Sequence, residues 1–262
     1  MSLSLVIFSR NDAEHLDRCL GALRDDAPGS LVEVIVVDNA SVDNSAEVLA
    51  RFTESLPLQV ITLNEDTSFS KGNNLGLYKA IGEYILFLNP DTLPTAEVIG
   101  RCLEVLEADE DVGIVGPCLI HPGDVPQENG WHLPRPGRLV REHLRASSRV
   151  VAESGDSYTQ VGWLMGCFLL GRRRLLLELN GFDEDFWFHG TDLELCARVA
   201  ASGRTVVRAE GVFMLHVGHQ SWDFGRRSAS HRALVQYTRR EHGTVAAYGV
   251  ASMARLAEVF RS

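Results

Sequence analysis

The chain lacks the features that mark secreted, membrane-spanning and zinc-finger proteins. Its five cysteines are odd in number and widely spaced, without paired metal-ligand spacing, which favours a reduced cytoplasmic protein. No positively charged start precedes an apolar core, so the sequence predicts no signal peptide. The longest apolar stretch, near residues 161–170, is interrupted by glycines and is too short to span a bilayer. With 262 residues, the chain is long enough for one large α/β domain or two small ones.

Positive charge is scarce, and its distribution along the chain is uneven. The net charge of -10 argues against a general nucleic-acid binder. Residues 1–110 carry 7 basic and 19 acidic side chains, whereas residues 220–262 carry 7 basic and 3 acidic ones. A segment that docks on an anionic surface or substrate has this composition, and so does a solvated helical face.

Glycine-rich nucleotide-binding motifs are absent as well. Neither a dinucleotide fingerprint nor the phosphate loop of nucleotide hydrolases follows the first predicted strand, which argues against a dehydrogenase or such a hydrolase. What is present is an alternation of strand-like aliphatic runs with helically spaced apolar residues. This alternation predicts a doubly wound, mainly parallel α/β sheet. We assign residues 1–221 to this domain and residues 222–262 to a C-terminal helical extension.

The apolar run at residues 84–88 is typical of a strand that is buried on both faces. It ends at Asn89-Pro90, because proline removes a hydrogen-bond donor and restricts its neighbour. The next residue, Asp91, would lie at the carboxyl end of the strand, where open α/β sheets bind ligands. A carboxylate there suits a hard divalent cation that carries phosphates. The alternative is that Asp91 or Thr92 caps the following helix.

Two further polar residues should lie at the same edge of the sheet. Asp192 falls in the first turn of a helix predicted to start near Thr191, and His216 ends a late strand. Taken alone, Asp192 could be a helix-start carboxylate and His216 a structural histidine. The polar segment 64–74 suits a loop that lets backbone approach a ligand, or an ordinary turn and helix cap.

Eight short blocks stand in order along residues 3–221: FSRN at 8–11, VDNAS at 37–41, GNN at 72–74, LNPDT at 88–92, GWLMG at 162–166, GFDE at 181–184, DLELC at 192–196 and HVG at 216–218. Together, in this order and spacing, they resemble the large inverting glycosyltransferase family with the GT-A fold. The nearest likeness is to its bacterial rhamnosyltransferase-like members. The resemblance implies a GT-A-like α/β domain that transfers a sugar from a nucleotide diphosphate donor.

The resemblance also implies where the donor binds. The stretch that closes the first strand borders the nucleotide, Asp38 bonds the base or ribose, and the loop at residues 72–73 lies beneath the nucleotide. The residues that would contact the donor are Ser9, Arg10, Asn11, Asp38, Gly72, Asn73 and Asn89.

By the same resemblance, Asp91 is the metal-binding aspartate of the Asp-x-Asp motif, whose first aspartate is here Asn89. His216 would complete the binding of Mn²⁺ or Mg²⁺, or of the diphosphate. Asp192 would be the catalytic base of the Glu-Asp motif, although the preceding glutamate is replaced by Thr191. A threonine could cap the helix and orient Asp192, but it cannot carry charge.

The acceptor is expected to be a hydroxyl of a glycan, a glycolipid or a small metabolite. Trp131, in the proline-rich stretch 121–136, is a candidate for stacking on this acceptor, and Trp163 and Glu194 are further candidates. Glu194 and Asp185 are the alternatives to Asp192 as the base. Other candidate partners are the inner face of a membrane, for peripheral contact, and a second copy of the chain as a homodimer.

Rhamnose or another deoxysugar leads among the donor sugars. Two other functions compete with sugar transfer. A sugar-phosphate nucleotidyltransferase should carry a glycine-rich loop with a basic signature after the first strand, and residues 9–11 offer none. A non-catalytic nucleotide-sugar-binding module is supported by Thr191 in place of the glutamate.

Overall fold

A ten-stranded sheet with helices on both faces forms the centre of the part of the chain that is described, namely residues 1–135, 157–218 and 226–259 of the computed structural model. The strands run in the order β3-β2-β1-β4-β9-β6-β10-β5, with β7 paired to β6 and β8 paired to β10. Their bounds are Leu3–Ser9 (β1), Leu31–Asp38 (β2), Leu58–Thr62 (β3), Tyr84–Leu88 (β4), Thr92–Leu93 (β5), Val112–His121 (β6), Val125–Gln127 (β7), Tyr158–Val161 (β8), Phe168–Arg172 (β9) and Thr205–His216 (β10).

The helices are Ala13–Asp25 (α1), Ser45–Phe52 (α2), Phe69–Lys79 (α3), Ala96–Ala108 (α4), Arg173–Glu178 (α5), Thr191–Ala201 (α6) and Arg226–Val259 (α7). Alternate residues of the buried strands face different helices, as the two-residue period of a strand requires. On β1, Leu5 and Ile7 pack in the cluster that includes α1, α2 and α4. Val6 and Phe8 pack in the opposite cluster, with α3 and α6. The central strands are therefore mostly apolar, because both of their faces are covered.

The first half of the sheet has the predicted parallel arrangement, and the second half does not. Strands β3, β2, β1 and β4 are parallel to one another. Strand β9 is antiparallel to both β4 and β6, and β10 is parallel to β6 but antiparallel to β5 and β8. The α/β layering is as predicted, but an apolar run does not reveal the direction in which a buried strand is paired.

The last helix, α7, has a break in its backbone at Gly243, where φ is 82° and ψ is 172°. Only glycine adopts such a conformation readily. The predicted boundary between the domain and the helical extension, at residues 221 and 222, lies outside the described residues and stays a prediction. Among the helices of the described ranges, none is long and apolar enough to cross a membrane.

Candidate functional site

Asp91 and His216 lie side by side at the edge of the sheet where β4 ends. After β4, the short strand β5 pairs antiparallel with the end of β10, so that His216 is opposite Thr92. The Val217 N–H donates to the Asp91 carbonyl at 2.9 Å, so the residue after β10 is bonded to the residue before β5. Both side chains are buried, and Asp91 Oδ2 lies 3.4 Å from His216 Nε2. The fold thus joins two residues that are 125 positions apart in sequence.

The electrostatics of this pair favour charged side chains on both residues. Burial opposes the charged imidazole of His216, but the neighbouring Cys167 and Asp91 outweigh it and raise the pKa of His216 to about 10. Burial also opposes the charged form of Asp91, yet hydrogen bonding and charge from His216, with the charge of His15, lower the pKa of Asp91 overall. The structure therefore holds an ion pair at this edge.

The two residues offer one carboxylate oxygen and one imidazole nitrogen to a cation. Among the described residues there is no group of three or more histidine, cysteine, aspartate or glutamate side chains able to hold a metal ion by themselves. The pair consequently fits a cation that takes its remaining ligands from phosphate and water, as Mg²⁺ does with nucleotide substrates. It does not fit a cation that is enclosed by protein alone.

Asp192 is held rigidly at the start of α6. Its Oδ2 accepts the Gly166 N–H at 3.0 Å, and its Oδ1 accepts the Leu193 N–H at 2.8 Å. Burial raises the pKa of the Asp192 carboxyl, and the two backbone hydrogen bonds oppose that shift only in part. A partly buried carboxylate with a raised pKa is a better proton acceptor than a fully solvated one.

A cavity of about 440 Å³ connects Asp192 with the edge of the sheet. Asn89, Cys167 and Asp192 line it, and the Cys167 thiol is hydrogen-bonded to His216. The other lining residues are mostly apolar or aromatic: Phe69, His132, Pro134, Trp163, Met165, Gly166, Phe188, His189, Gly190, Thr191, Leu193, Ala233 and Leu234. Asp192 therefore lines the cavity directly, whereas the Asp91–His216 pair lies behind its wall, in contact through Cys167.

The tryptophans that were predicted to contact an acceptor form a stacked pair at this cavity. Trp163 lines the cavity, and the Trp131 ring stacks on the Trp163 ring with 4.4 Å between centroids and 24° between planes. Backbone hydrogen bonds between the two residues fix the stack, including Trp131 N–H to the Trp163 carbonyl at 3.0 Å. Helix α7 contributes Ala233 and Leu234 to the opposite wall.

Most of the predicted donor residues gather where β1 and β2 end. The Asn39 N–H donates to the Ser9 carbonyl at 2.8 Å, and Asp38 Oδ1 accepts the Ser41 N–H at 3.3 Å. The Asn11 N–H donates to Ser41 Oγ at 2.9 Å, and the Asn11 side chain accepts the Val42 N–H at 2.8 Å.

Two observations mark this turn as a candidate nucleotide site. Asn11 and Ala40 have positive φ values of 49° and 52°, an unusual conformation for residues other than glycine that often marks functional sites. Arg10 forms an ion pair with Asp66 from the loop before α3. The donor residues Ser9, Arg10, Asn11 and Asp38 are thus adjacent in space.

The structure corrects the expectation for Gly72 and Asn73. They lie inside α3 rather than in a loop. A Cβ at Gly72 would lie 2.1 Å from two carbons of the Phe8 ring, so the glycine is required for close packing of helix and strand. The Asn73 side chain donates to the Phe69 carbonyl at 2.9 Å, within its own helix. Both residues therefore have structural explanations, and their contact with the donor stays a prediction.

Two expectations about α6 are also corrected. Glu194 is buried and does not line the cavity, because both of its carboxylate oxygens accept hydrogen bonds from Arg198, at 2.7 and 2.6 Å. Thr191 does not cap the helix, since the capping position is Gly190, whose φ is 78°. The Thr191 hydroxyl donates to the Phe188 carbonyl at 3.3 Å. Helix α6 does begin at Thr191, as predicted.

Sequence reasoning missed the residues that hold the site together. Gln127 Oε1 lies 2.9 Å from His216 Nδ1, and Asn129 Oδ1 accepts the Met165 N–H at 2.9 Å. Asp12 and His15 form a further pair, 2.5 Å apart, whose charges act on Asp91. No motif marks Gln127 and Asn129, because their partners are 89 and 36 residues away in sequence, and Asp12 and His15 are distant in sequence from Asp91.

Comparison with known proteins defines the class to which this fold and site belong. The family model described as "Glycosyl transferase family 2" matches residues 4–177. The chain therefore belongs to glycosyl transferase family 2, which confirms the family predicted from the eight blocks.

Two relatives illustrate the range of the similarity. An uncharacterized glycosyltransferase, YfnE of Bacillus subtilis, is 28% identical over 258 residues, which cover 84% of this chain and 66% of that protein. The N-acetylglucosaminyl-diphospho-decaprenol L-rhamnosyltransferase of Mycobacterium tuberculosis is 23% identical over 262 residues, covering 88% of this chain and 80% of that protein. The chain thus spans slightly less than two thirds of the Bacillus subtilis relative.

Solved structures confirm the GT-A-like fold. The structure of GalNAc-T7 with UDP, GalNAc and Mn²⁺ has a TM-score of 0.70 at 14% identity, covering 91% of this chain and 48% of that one. The mannosyltransferase PcManGT of Pyrobaculum calidifontis, in complex with GDP-Man and Mn²⁺, has a TM-score of 0.65 at 20% identity, covering 99% of this chain and 75% of that one. At these identities the likeness concerns the fold alone.

Proposed function

We propose that the protein is a metal-dependent, inverting glycosyltransferase that moves a sugar from a nucleotide diphosphate to a hydroxyl group of its acceptor. The observation that carries this proposal is that one cavity is lined by Asp192, by Asn89 at the end of β4 and by Cys167, which contacts His216 of the Asp91–His216 pair. Family membership supports the reaction class, and the named complexes with Mn²⁺ among the structural neighbours support metal use.

In the proposed mechanism, one pair of residues serves the leaving diphosphate, and a separate carboxylate serves the acceptor hydroxyl. Asp91 and His216 would hold Mn²⁺ or Mg²⁺, which as a Lewis acid would neutralise the negative charge that develops on the leaving diphosphate. Asp192 would accept the proton of the acceptor hydroxyl while that oxygen bonds to the anomeric carbon. The Gly166 and Leu193 N–H groups fix the direction of the carboxylate, so that little reorganisation is needed during the reaction.

The donor nucleotide is proposed to bind at the turns after β1 and β2, with Asp38 bonding the base or ribose. Ser9, Arg10 and Asn11 would border it, and Asn89 would lie beside the sugar because it lines the cavity. Rhamnose is the leading sugar, since the Mycobacterium tuberculosis relative is named as a rhamnosyltransferase. The sugar pocket is formed by loops that vary freely on this fold. The base and the sugar of the donor are therefore identified by measuring binding.

The acceptor is proposed to enter the cavity against Trp163, with Trp131 supporting that ring from behind. The apolar walls suit the less polar face of a sugar ring or the first part of a lipid carrier. A lipid-linked acceptor is consistent with the name of the Mycobacterium tuberculosis relative, and peripheral contact with a membrane would bring such an acceptor within reach.

A thermal-shift panel of nucleotide sugars, with and without Mn²⁺, tests donor binding, because a ligand of the folded state raises the midpoint by mass action. We expect one nucleotide to stabilise the protein and Mn²⁺ to increase its effect. No shift with any nucleotide diphosphate would contradict the proposal. Release of pyrophosphate from a nucleoside triphosphate and a sugar phosphate would favour the nucleotidyltransferase.

The substitution Asp192→Asn tests the base. We expect turnover to fall by about 10²- to 10⁴-fold, the usual contribution of general base catalysis, while donor binding stays unchanged. The control is Asp25→Asn, which removes an exposed carboxylate at the end of α1 and should preserve turnover. Near-normal turnover of Asp192→Asn would place the base elsewhere. A wild-type protein that binds donor and metal but neither transfers nor hydrolyses the sugar would favour the binding module.

A further inference from the structure

One short segment, Gln127 to Asn129, contacts both halves of the site. Gln127 ends β7, which pairs antiparallel with the end of β6. Asn129 follows two residues later and is buried. Gln127 contacts the side of the site that carries His216, and Asn129 contacts the turn that holds Asp192.

Gln127 fixes the orientation of the His216 ring. Its Oε1 can only accept a hydrogen bond, so at 2.9 Å from Nδ1 it keeps the ring proton on that nitrogen. Nε2 is then directed at Asp91, 3.4 Å away. At the other end of the amide, Gln127 Nε2 donates to the Met165 sulfur at 3.8 Å, which opposes a flip of the side chain. This is the arrangement by which an outer partner sets the tautomer of a metal-binding histidine.

Asn129 fixes the peptide group next to the one that orients Asp192. Its Oδ1 accepts the Met165 N–H at 2.9 Å, and its Nδ2 donates to the Pro117 carbonyl at 2.8 Å. Its own carbonyl accepts Arg208 Nη1 at 2.6 Å, so that both its side chain and its backbone are tied to the sheet. The residue after Met165 is Gly166, whose N–H holds Asp192 Oδ2.

We propose that Gln127 and Asn129 are positioning residues, Gln127 for the cation-binding His216 and Asn129 for the Gly166 amide that orients Asp192. The inference rests on the proposed function, because it assigns purposes to His216 and Asp192 that the function requires. Gln127 acts through His216, and Asn129 acts through the Met165 and Gly166 backbone. The two substitutions should consequently affect different steps of one reaction.

Gln127→Met removes the acceptor at nearly constant volume, and Gln127→Glu keeps an acceptor. We expect Gln127→Met to weaken Mn²⁺ binding by about 10- to 100-fold, the usual effect of removing such an outer partner, and Gln127→Glu to retain tight binding. Binding is measured by electron paramagnetic resonance on the full chain, with Mn²⁺ alone and with inorganic pyrophosphate as a diphosphate probe. The control is Gln160→Met, at an exposed position of β8, which should leave binding unchanged.

Asn129→Ala should act on the other step. We expect kcat to fall by at least tenfold and the acidic limb of the pH–rate profile to shift, because Asp192 loses its fixed hydrogen bond. Mn²⁺ affinity and the donor KM should stay at wild-type values. A purely structural role predicts instead that both variants lower the thermal midpoint and affect metal binding and turnover together.

The outcomes separate this inference from the proposed function. If the wild type binds Mn²⁺ and transfers sugar while Gln127→Met binds Mn²⁺ normally, the role of Gln127 is refuted and the function stands. If Asn129→Ala has normal turnover and an unchanged pH profile, the role of Asn129 is refuted. If the wild type neither binds Mn²⁺ nor transfers sugar, the proposed function and both positioning roles are refuted together.

Discussion

The ion pair of His216 with Asp91 and its proposed role as a metal ligand require the same nitrogen. In the ion pair with Asp91, Nε2 carries a proton, and the pKa of about 10 means that this proton is present at neutral pH. A cation at the same position needs the lone pair of Nε2, so binding it must release that proton. The ion pair is therefore the arrangement of the metal-free protein, in which Gln127 Oε1 lies 2.9 Å from His216 Nδ1, and the proposed cation would replace the Nε2 proton.

The stabilising effect of His216 should depend on pH in a defined direction. Its pKa is raised from 6.5 to about 10 by folding, so its contribution is complete below pH 6.5 and is lost as the pH rises towards 10. We expect His216→Gln to lower the free energy of unfolding by roughly 1.5–3 kcal/mol near pH 6, as for a hydrogen bond to a charged group, with a smaller difference at pH 10.

Urea denaturation at pH 6, 8 and 10, in the presence of a chelator, measures this effect. Asp91→Asn is the matched variant, because it removes the partner and should reduce the pH dependence between 6.5 and 10 in the same way. A constant difference between wild type and His216→Gln over the whole range would contradict the ion pair.

Helix α3 shows why some elements could not be predicted from sequence. Its first turns contain Gly72, Asn73 and Asn74, residues of low helix propensity, so the sequence favoured a loop. Tertiary packing overrides that preference: Ser68 caps the helix through the Lys71 N–H, and the lack of a side chain at Gly72 lets the helix approach Phe8. Strands β1, β2 and β4, by contrast, could be predicted, because burial on both faces produces a short continuous run of apolar residues.

Gly72→Ala distinguishes packing from ligand contact as the reason for this glycine. Since the added Cβ would lie 2.1 Å from the Phe8 ring, we expect a loss of stability of about 1–3 kcal/mol, typical of overpacking. Gly100→Ala in α4 is the control, because its Cβ would meet nothing within 4 Å and alanine favours a helix by about 0.5–1 kcal/mol. Thermal and urea denaturation measure both. A Gly72→Ala variant of normal stability with weakened nucleotide binding would restore the ligand role.

At the scale of the molecule, the two halves of the sheet could be predicted from the sequence to different extents. The parallel half contains β1, β2 and β4, and the turns after these strands carry the predicted donor residues and Asp91, because a strand end followed by polar residues is visible in sequence. The second half is antiparallel in part, and it brings Cys167 beside Asn89 through β9. Gln127 and Asn129 were missed because their partners are 89 and 36 residues away, at distances that no local pattern encodes.

The charge asymmetry of the chain leads to a prediction for the whole protein. The acidic first 110 residues contain the proposed donor turns, whereas residues 220–262 carry an excess of basic side chains. Arg239, on α7, is exposed on the same helix whose Ala233 and Leu234 line the cavity. An anionic membrane face that attracts this helix would therefore lie near the cavity where the acceptor is proposed to bind.

Sedimentation with anionic vesicles tests that arrangement. We expect the protein to bind such vesicles at low ionic strength and not to bind neutral vesicles. Added salt should release it, because salt shortens the range of the electrostatic attraction. Each basic residue near the surface contributes about 1 kcal/mol, so Arg239→Ala should lower the partition coefficient by about fivefold. Arg101→Ala, at an exposed position of α4 in the acidic part of the chain, should leave it unchanged. Absence of binding at low salt would refute membrane docking, and an equal effect of both substitutions would show that α7 does not direct it.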